Sequence, residues 1–283
     1  SSTFGVPFDR GAHALHDPES NPLAKLARPA GFDVYLAPHG QKIRLGRRFA
    51  RAGEMEDYLT TIVRATNAID DAARGKADVA CASALPRDLG EWGPTAEFML
   101  GPWLSGKDLK EMSAVDFARA ARRTQIAFCR QGVGALLARL ADGLPVVLAT
   151  PASRIIWTNR GAQVETPAGR VDGKAVIVTA STKVLASGAL KFSPDLPRRH
   201  LDAISKLDLG SRERIALELS GNPLGLQNDD FIIEKASGAE TGALFGNVGG
   251  SSLCVVEVAG GFGRDLSARG EAAMTAFAIE WLS

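Results

Sequence analysis

Residues 172–219 read DGKAVIVTASTKVLASGALKFSPDLPRRHLDAISKLDLGSRERIALEL. Within them, residues 174–180 (KAVIVTA) make an apolar, β-branched run with the length and composition of a strand buried on both faces. A turn of small residues follows. Residues 197–206 then carry the pattern of an amphipathic helix, and residues 213–219 (ERIALEL) read as a second strand.

Upstream of this stretch, residues 134–141 read as a helix closed by Gly143, and residues 145–149 (PVVLA) as a short buried strand. Residues 154–158, 162–166 and 169–171 alternate around turn signals at 159–161 and 167–169, which predicts an antiparallel meander. Residues 1–50 suit loops, short strands and a short helix near 21–26. In residues 53–74, Met55, Leu59, Ile62, Val63 and Ile69 recur at helical spacing, with Glu54, Glu56 and Asp57 in the first turn. Short helical pieces fill 75–112, and Ser113 caps a helix with Asp116 at its third position. Downstream, residues 231–236, 243–248 and 253–259 read as strands of a second sheet. Residues 267–282 read as a closing helix with Ala273, Phe277 and Trp281 on one face. Two separated groups of strands with helices between them predict an α+β arrangement with two sheets.

Composition narrows the function. The 283 residues are 45% hydrophobic and 23% charged, with a net charge of +1. Nothing steers such a chain toward nucleic acid or an anionic membrane. No apolar run approaches the roughly 20 residues that span a bilayer. The first residues show no signal-peptide pattern. Cys81, Cys129 and Cys254 lie far apart, which excludes a CxxC metal knuckle and fits buried, reduced thiols in a cytoplasmic setting.

The nearest approach to a dinucleotide-binding G-x-G-x-x-G is 132–137 (GVGALL). It lacks the third glycine, and residues 128–131 before it make a poor strand, so it reads as a loop opening a helix. Walker, H-E-x-x-H and G-x-S-x-G motifs are absent. An unrelated α+β hydrolase would need a nucleophile that nothing here positions.

The central stretch resembles the flavin-dependent amine oxidase family. Its pieces are Val176 to Ala180, Val184-Leu185, FSPDLP from Phe192 to Pro197, and Leu209-Gly210. Residues 149–155 (ATPASRI) are similar to the family's T-P-V-x-x-I segment. Residues 8–16 (FDRGAHALH) are similar to its D-x-G-A-x-x-[IL]-H, with Asn21-Pro22-Leu23 following. The three matches keep the family's order and cover most of residues 8–219.

The resemblance implies a substrate-binding domain with a mixed or antiparallel sheet flanked by helices. It also implies an incomplete FAD-binding domain, made of a buried strand and a β-meander and lacking its N-terminal Rossmann βαβ unit. By the same resemblance, residues 1–16 form the edge of the FAD-binding domain, 17–127 the helical part of the substrate domain, 128–191 the partial FAD-binding domain and 192–283 the substrate sheet. FAD would contact Gly11 and Ala12, whose small size permits close backbone approach. Ala152 would meet the adenine end through its backbone, and Ala180 and Ser181 the turn near the flavin. No metal is implied. His16 matches a histidine that faces substrate in the polyamine-oxidase branch, beside the plainer reading of a locally satisfied loop histidine. His13, His39 and His200 read as structural or exposed.

Arg214 stands where the family commonly has a lysine that holds a water against the flavin. Arginine is not equivalent to lysine. It is a candidate to anchor a substrate carboxylate, it also fits a chain that does without the lysine device, and it fits a plain strand arginine. The implied reaction oxidises a C–N bond of an amine, polyamine or amino acid to an imine, with hydride transfer to flavin and reoxidation by oxygen. Asp229, Asp230 and Glu234 on one side and Arg214 on the other leave the substrate class open. Because the dinucleotide loop and the family's last G-E segment are missing, we expect a fragment or truncated homologue that holds FAD poorly alone. Its partners would be the missing segments of the same polypeptide or a homodimer mate. The alternative is a non-catalytic binding domain that kept the substrate fold and lost the cofactor.

Overall fold

The computed structural model describes residues 4–38, 40–120 and 125–283. His39 lies outside these, as do the portions of the expected 1–16 and 17–127 segments that fall on residues 1–3 and 121–124. In chain order the strands are β1 (Ala14–His16), β2 (Val34–Leu36), β3 (Lys42–Leu45), β4 (Arg48–Phe49), β5 (Ile126–Cys129), β6 (Arg154–Thr158), β7 (Gly161–Thr166), β8 (Gly169–Gly173), β9 (Lys191–Ser193), β10 (Arg212–Glu218), β11 (Asp230–Glu234), β12 (Ala243–Gly246) and β13 (Leu253–Ala259). The helices are α1 (Pro22–Ala27), α2 (Ala52–Ala72), α3 (Cys81–Ala84), α4 (Gly93–Phe98), α5 (Ala114–Arg119), α6 (Val133–Leu140), α7 (Thr182–Ala186), α8 (Arg198–Lys206), α9 (Gly260–Ala268) and α10 (Glu271–Leu282). The chain divides into two compact units, Ser1–Asp142 with Gly210–Ser283, and Gly143–Leu209.

The first unit holds a six-stranded sheet in the order β10-β13-β12-β11-β3-β4 and a three-stranded sheet in the order β1-β5-β2. All neighbours are antiparallel except β11 and β3. Every residue of β13 is buried, which is why LCVVEVA reads as one apolar run rather than an alternation. The period of two still sorts its side chains. Cys254 and Val256 pack with Ile215 against Ala278 and Trp281 of α10. Leu253 and Val255 face the other way, toward Phe8, Trp103, Phe128 and Phe245. Arg214 and Glu257 share the parity of this second face, so the sheet delivers two charged side chains to an aromatic interior.

Local signals hold where they are strong. Asn21 caps α1 through Leu23 N, and the Ser113 hydroxyl accepts from Asp116 N at 3.0 Å. In α2 the buried stripe is Tyr58, Thr61, Ala65 and Ile69. Leu59 and Val63, expected on that stripe, are exposed because they fall on the flank and toward the back of the helix from it. The closing helix is two helices. Gly270 adopts φ +90 between α9 and α10, a backbone that only glycine takes without strain, and α9 begins well before Ser267. Residues 126–129 form a true strand, β5, where the sequence reads poorly. Its pairing with β1 and β2 comes from elsewhere in the chain.

The second unit carries a four-stranded sheet in the order β8-β7-β6-β9. β6, β7 and β8 form the expected meander, and β9 joins parallel to β6. Two expectations fail here. Residues 174–180 form no strand, and Ile177 is 89% exposed. Residues 145–149 are likewise unpaired, with Val147 at 75% and Leu148 at 82%. A strand needs lateral partners for its N–H and C=O groups. Among the described residues none pairs with either run, so both stay outside the sheet despite an apolar composition suited to burial.

Candidate functional site

The aromatic face of the six-stranded sheet closes over two adjoining cavities in the first unit, of about 180 and 220 Å³. They share Phe128, Asp229 and Phe245 as lining residues. The first also meets Phe8, His13, Tyr35 and Arg214, and the second Trp103 and Phe231. Ring contacts tie these walls together, with Trp103 and Phe231 centroids 4.8 Å apart and Phe231 and Phe245 5.1 Å apart.

Beneath the first cavity lies a buried charge cluster. Arg214 Nε donates to Glu257 Oε1 at 2.8 Å, and its Nη1 donates to the Asp9 carbonyl. The Arg214 guanidinium lies 5.1 Å from the Phe8 ring centroid. Arg212 Nη1 stands 3.7 Å from Glu257 Oε2, and His13 Nε2 3.6 Å from Oε1. Burial pushes the Glu257 carboxyl above its usual range, although both arginines pull the other way. Burial, then the positive charges of Arg214 and Arg212, lowers His13 to about 3, so it is a neutral imidazole between the rings of Phe128 and Phe245.

Asp229 sits where the two cavities meet. Its Oδ2 accepts from the Tyr35 hydroxyl at 3.2 Å and its Oδ1 from Gly249 N at 2.7 Å. Burial, then the Asp229 charge, raises Tyr35 to about 12, so the phenol keeps its proton and donates it. Asp9 has a different task. Its carboxylate accepts from Val133 N at 2.8 Å and Gly134 N at 2.9 Å, filling the N-terminus of α6 with a side chain. The Gly132 loop is therefore a helix opening occupied by the protein's own anion, as its sequence indicates.

Of the residues singled out from sequence, Arg214 lines the first cavity. His16 lies on β1 outside the residues lining the two cavities, and its carbonyl accepts from Asn21 Nδ2 at 3.0 Å. Gly11 and Ala12 are exposed just before β1, and open space lies where a Cβ on Gly11 would point. Ala152 is exposed ahead of β6. Ala180 is half-buried, and Ser181 caps α7 by accepting from Val184 N at 3.3 Å. The open backbone at Gly11 and Ala12 fits the edge of a flat ring system. The lysine–water arrangement does not fit, because a guanidinium, held through Nε by Glu257 and through Nη1 by the Asp9 carbonyl, stands at that position. Sequence reading passed over His13 as structural or exposed, and it missed Glu257, whose signal was a lone charge inside LCVVEVA.

A mixed sheet flanked by helices makes this an α/β fold similar to that of the FAD amine oxidases. The family model described as flavin containing amine oxidoreductase matches residues 98–256, more than half of the chain. The chain belongs to this family, and the cofactor that goes with it is FAD. Cyclohexylamine oxidase from Brevibacterium oxydans superposes with a TM-score of 0.75 at 14% identity, covering 98% of this chain and 69% of that one. Putrescine oxidase bound to putrescine gives 0.68 at 14% identity, covering 92% and 66%. Lysine-specific histone demethylase 1 homolog 3 of Oryza sativa subsp. japonica is 34% identical over 91 residues, which is 32% of this chain and 11% of that protein. Homolog 1 from the same source is 23% identical over 237 residues, 74% of this chain and 27% of that protein. Against the first of these the chain spans about a tenth of the relative's length. Among the described residues no helix is long and apolar enough to cross a membrane.

Proposed function

We propose that this chain forms the substrate side of an FAD-dependent amine oxidoreductase acting on a small-molecule amine. The observation that carries the reading is the aromatic cavity with Asp229 and the Arg214 cluster, inside a chain that belongs to the flavin containing amine oxidoreductases. FAD, when bound, supplies the acceptor for the hydride equivalent from the C–N bond, and oxygen regenerates it. Gly11, Ala12, Ala152, Ala180 and Ser181 are the positions proposed to contact it. The chain's own part is to exclude water with aromatic walls, orient the amine and keep its charges fixed. Arg214 is proposed to act toward substrate from the cavity wall while held by Glu257 and Asp9, and His16 to act from β1 beyond the cavity lining; His13, held neutral, adds a hydrogen-bonding group without adding charge. The Gly143–Leu209 unit is proposed to be the partial cofactor side. Its exposed apolar runs at 145–149 and 174–180 suit pairing with strands from the rest of such a domain or from a partner. The three cysteines are buried and free, in keeping with a reducing, cytoplasmic setting.

A second reading has its own observation. Arg214, at the lysine position, is locked to Glu257 and Asp9, which favours a binding domain that has lost catalysis. Incubating the chain with FAD and a panel of primary amines, and following both flavin absorbance and peroxide, separates the two. Amine-dependent bleaching with peroxide supports the oxidoreductase. Amine binding without either, in a chain also supplied with the family's cofactor segments, sinks it in favour of the binding domain.

A further inference from the structure

We infer that the cavity selects a di- or polyamine over an amino acid, and that Asp229 is the residue that anchors the remote cation. This rests on the amine-oxidising reading above and names the substrate class of that same site. Asp229 is only 7% exposed and lines both cavities, yet among the described residues no lysine, arginine or histidine forms an ion pair with it. Its two hydrogen bonds come from neutral donors, Tyr35 and Gly249. A carboxylate withdrawn from water calls for a counter-charge. The surfaces beside it are aromatic faces, Phe128, Phe245, Phe231 and Trp103, which attract an ammonium and offer nothing to an anion.

The cationic groups in the same walls are committed elsewhere. Arg214 gives Nε to Glu257 and Nη1 to the Asp9 carbonyl. Arg130 is paired with Asp33 at 2.8 Å and stacks on Tyr35 with its guanidinium 4.5 Å from the ring centroid; its charge also acts on Asp229, but without an ion-pair contact. His13 is neutral. The other acids weighed for a polyamine site are also taken. Asp230 pairs with Lys42 at 2.6 Å and Glu234 with Arg44 at 3.5 Å. A substrate carboxylate finds in these walls only arginines that already hold a partner, while a substrate cation finds a carboxylate without an ion-pair partner in an aromatic setting.

The test compares 1,4-diaminobutane with 4-aminobutyrate, which puts a carboxylate in place of the second ammonium. Binding to the chain is read by calorimetry and by intrinsic tryptophan fluorescence, to which Trp103 in the cavity wall contributes. The expected result is that the diamine binds at least about tenfold more tightly. Asp229 sits at φ +57, a backbone that asparagine also tolerates, so D229N keeps the loop while removing the charge. D229N is expected to weaken diamine binding by about tenfold or more and to erase the preference. Equal binding of the two compounds, binding of neither, or an unchanged preference in D229N overturns the inference. Amine-dependent peroxide is measured separately. A preference without peroxide, in a chain also supplied with the family's cofactor segments, removes the oxidase reading and leaves the cation site standing, and peroxide without a preference does the reverse.

Discussion

Arg214 and Glu257 are direct register partners across β10 and β13, and their side chains meet at 2.8 Å with almost no solvent contact. Each is the other's main compensation for burial. Removing one partner of such a pair leaves an unpaired charge, which is far more destabilising than replacing both. E257A is therefore expected to lower the unfolding free energy by about 3–5 kcal/mol, measured by urea titration. The double change R214M/E257L is expected to recover most of that loss. A single E257A variant as stable as the parent would contradict the account.

His13 gives the fold an acid sensitivity. Its folded-state value is lowered to about 3 from 6.5, so the unfolded chain takes up the proton first as pH falls. The stabilisation is fully present above about 6.5 and is lost progressively toward 3, to a total of about 5 kcal/mol. Glu257, with a raised value, acts in the opposite sense as pH rises above its unfolded range. H13F keeps an aromatic ring between Phe128 and Phe245 and cannot titrate. Its stability between pH 7 and 4 is expected to fall less steeply than the parent's, and an identical slope would show that other groups govern the acid limb.

Gly210 explains the glycine of the Leu209-Gly210 pair. A Cβ there would lie 2.3 Å from the Ser105 carbonyl oxygen and 2.7 Å from the Gly106 carbonyl carbon. G210A is expected to cost about 2–4 kcal/mol, because backbone atoms rather than a flexible side chain must move. A Cβ on Gly11 would meet nothing within 4 Å, so G11A is expected to stay within about 0.5 kcal/mol of the parent. Thermal melts of the two variants make the comparison, and similar midpoints would refute it.

Asp9 ties the segment before β1 to the start of α6. D9A removes two hydrogen bonds to the amides of Val133 and Gly134 and is expected to cost about 1–2 kcal/mol. Hydrogen exchange at those two amides is expected to accelerate, while exchange in β13 changes only with global stability. Unaltered protection at 133 and 134 would remove Asp9 from this role.

What depends on near neighbours was legible in the sequence. Ser113 and Asp116 are three residues apart, and the cap they form was readable from their spacing. The meander of β6 to β8 followed from alternation and two turn signals. The ordered motifs from Phe8 to Leu209-Gly210 carried the family. Contacts between distant parts of the chain set the rest. Glu257 finds Arg214 across 43 positions, and Asp9 finds Val133 across 124. Register between distant strands chose those partners, and no local period encodes it. The same limit explains residues 174–180, whose composition states what they can bury but not which strands stand beside them. Asp229 and Asp230 are adjacent in sequence and alike in chemistry, and it took the fold to give Lys42 to one and an aromatic cavity to the other.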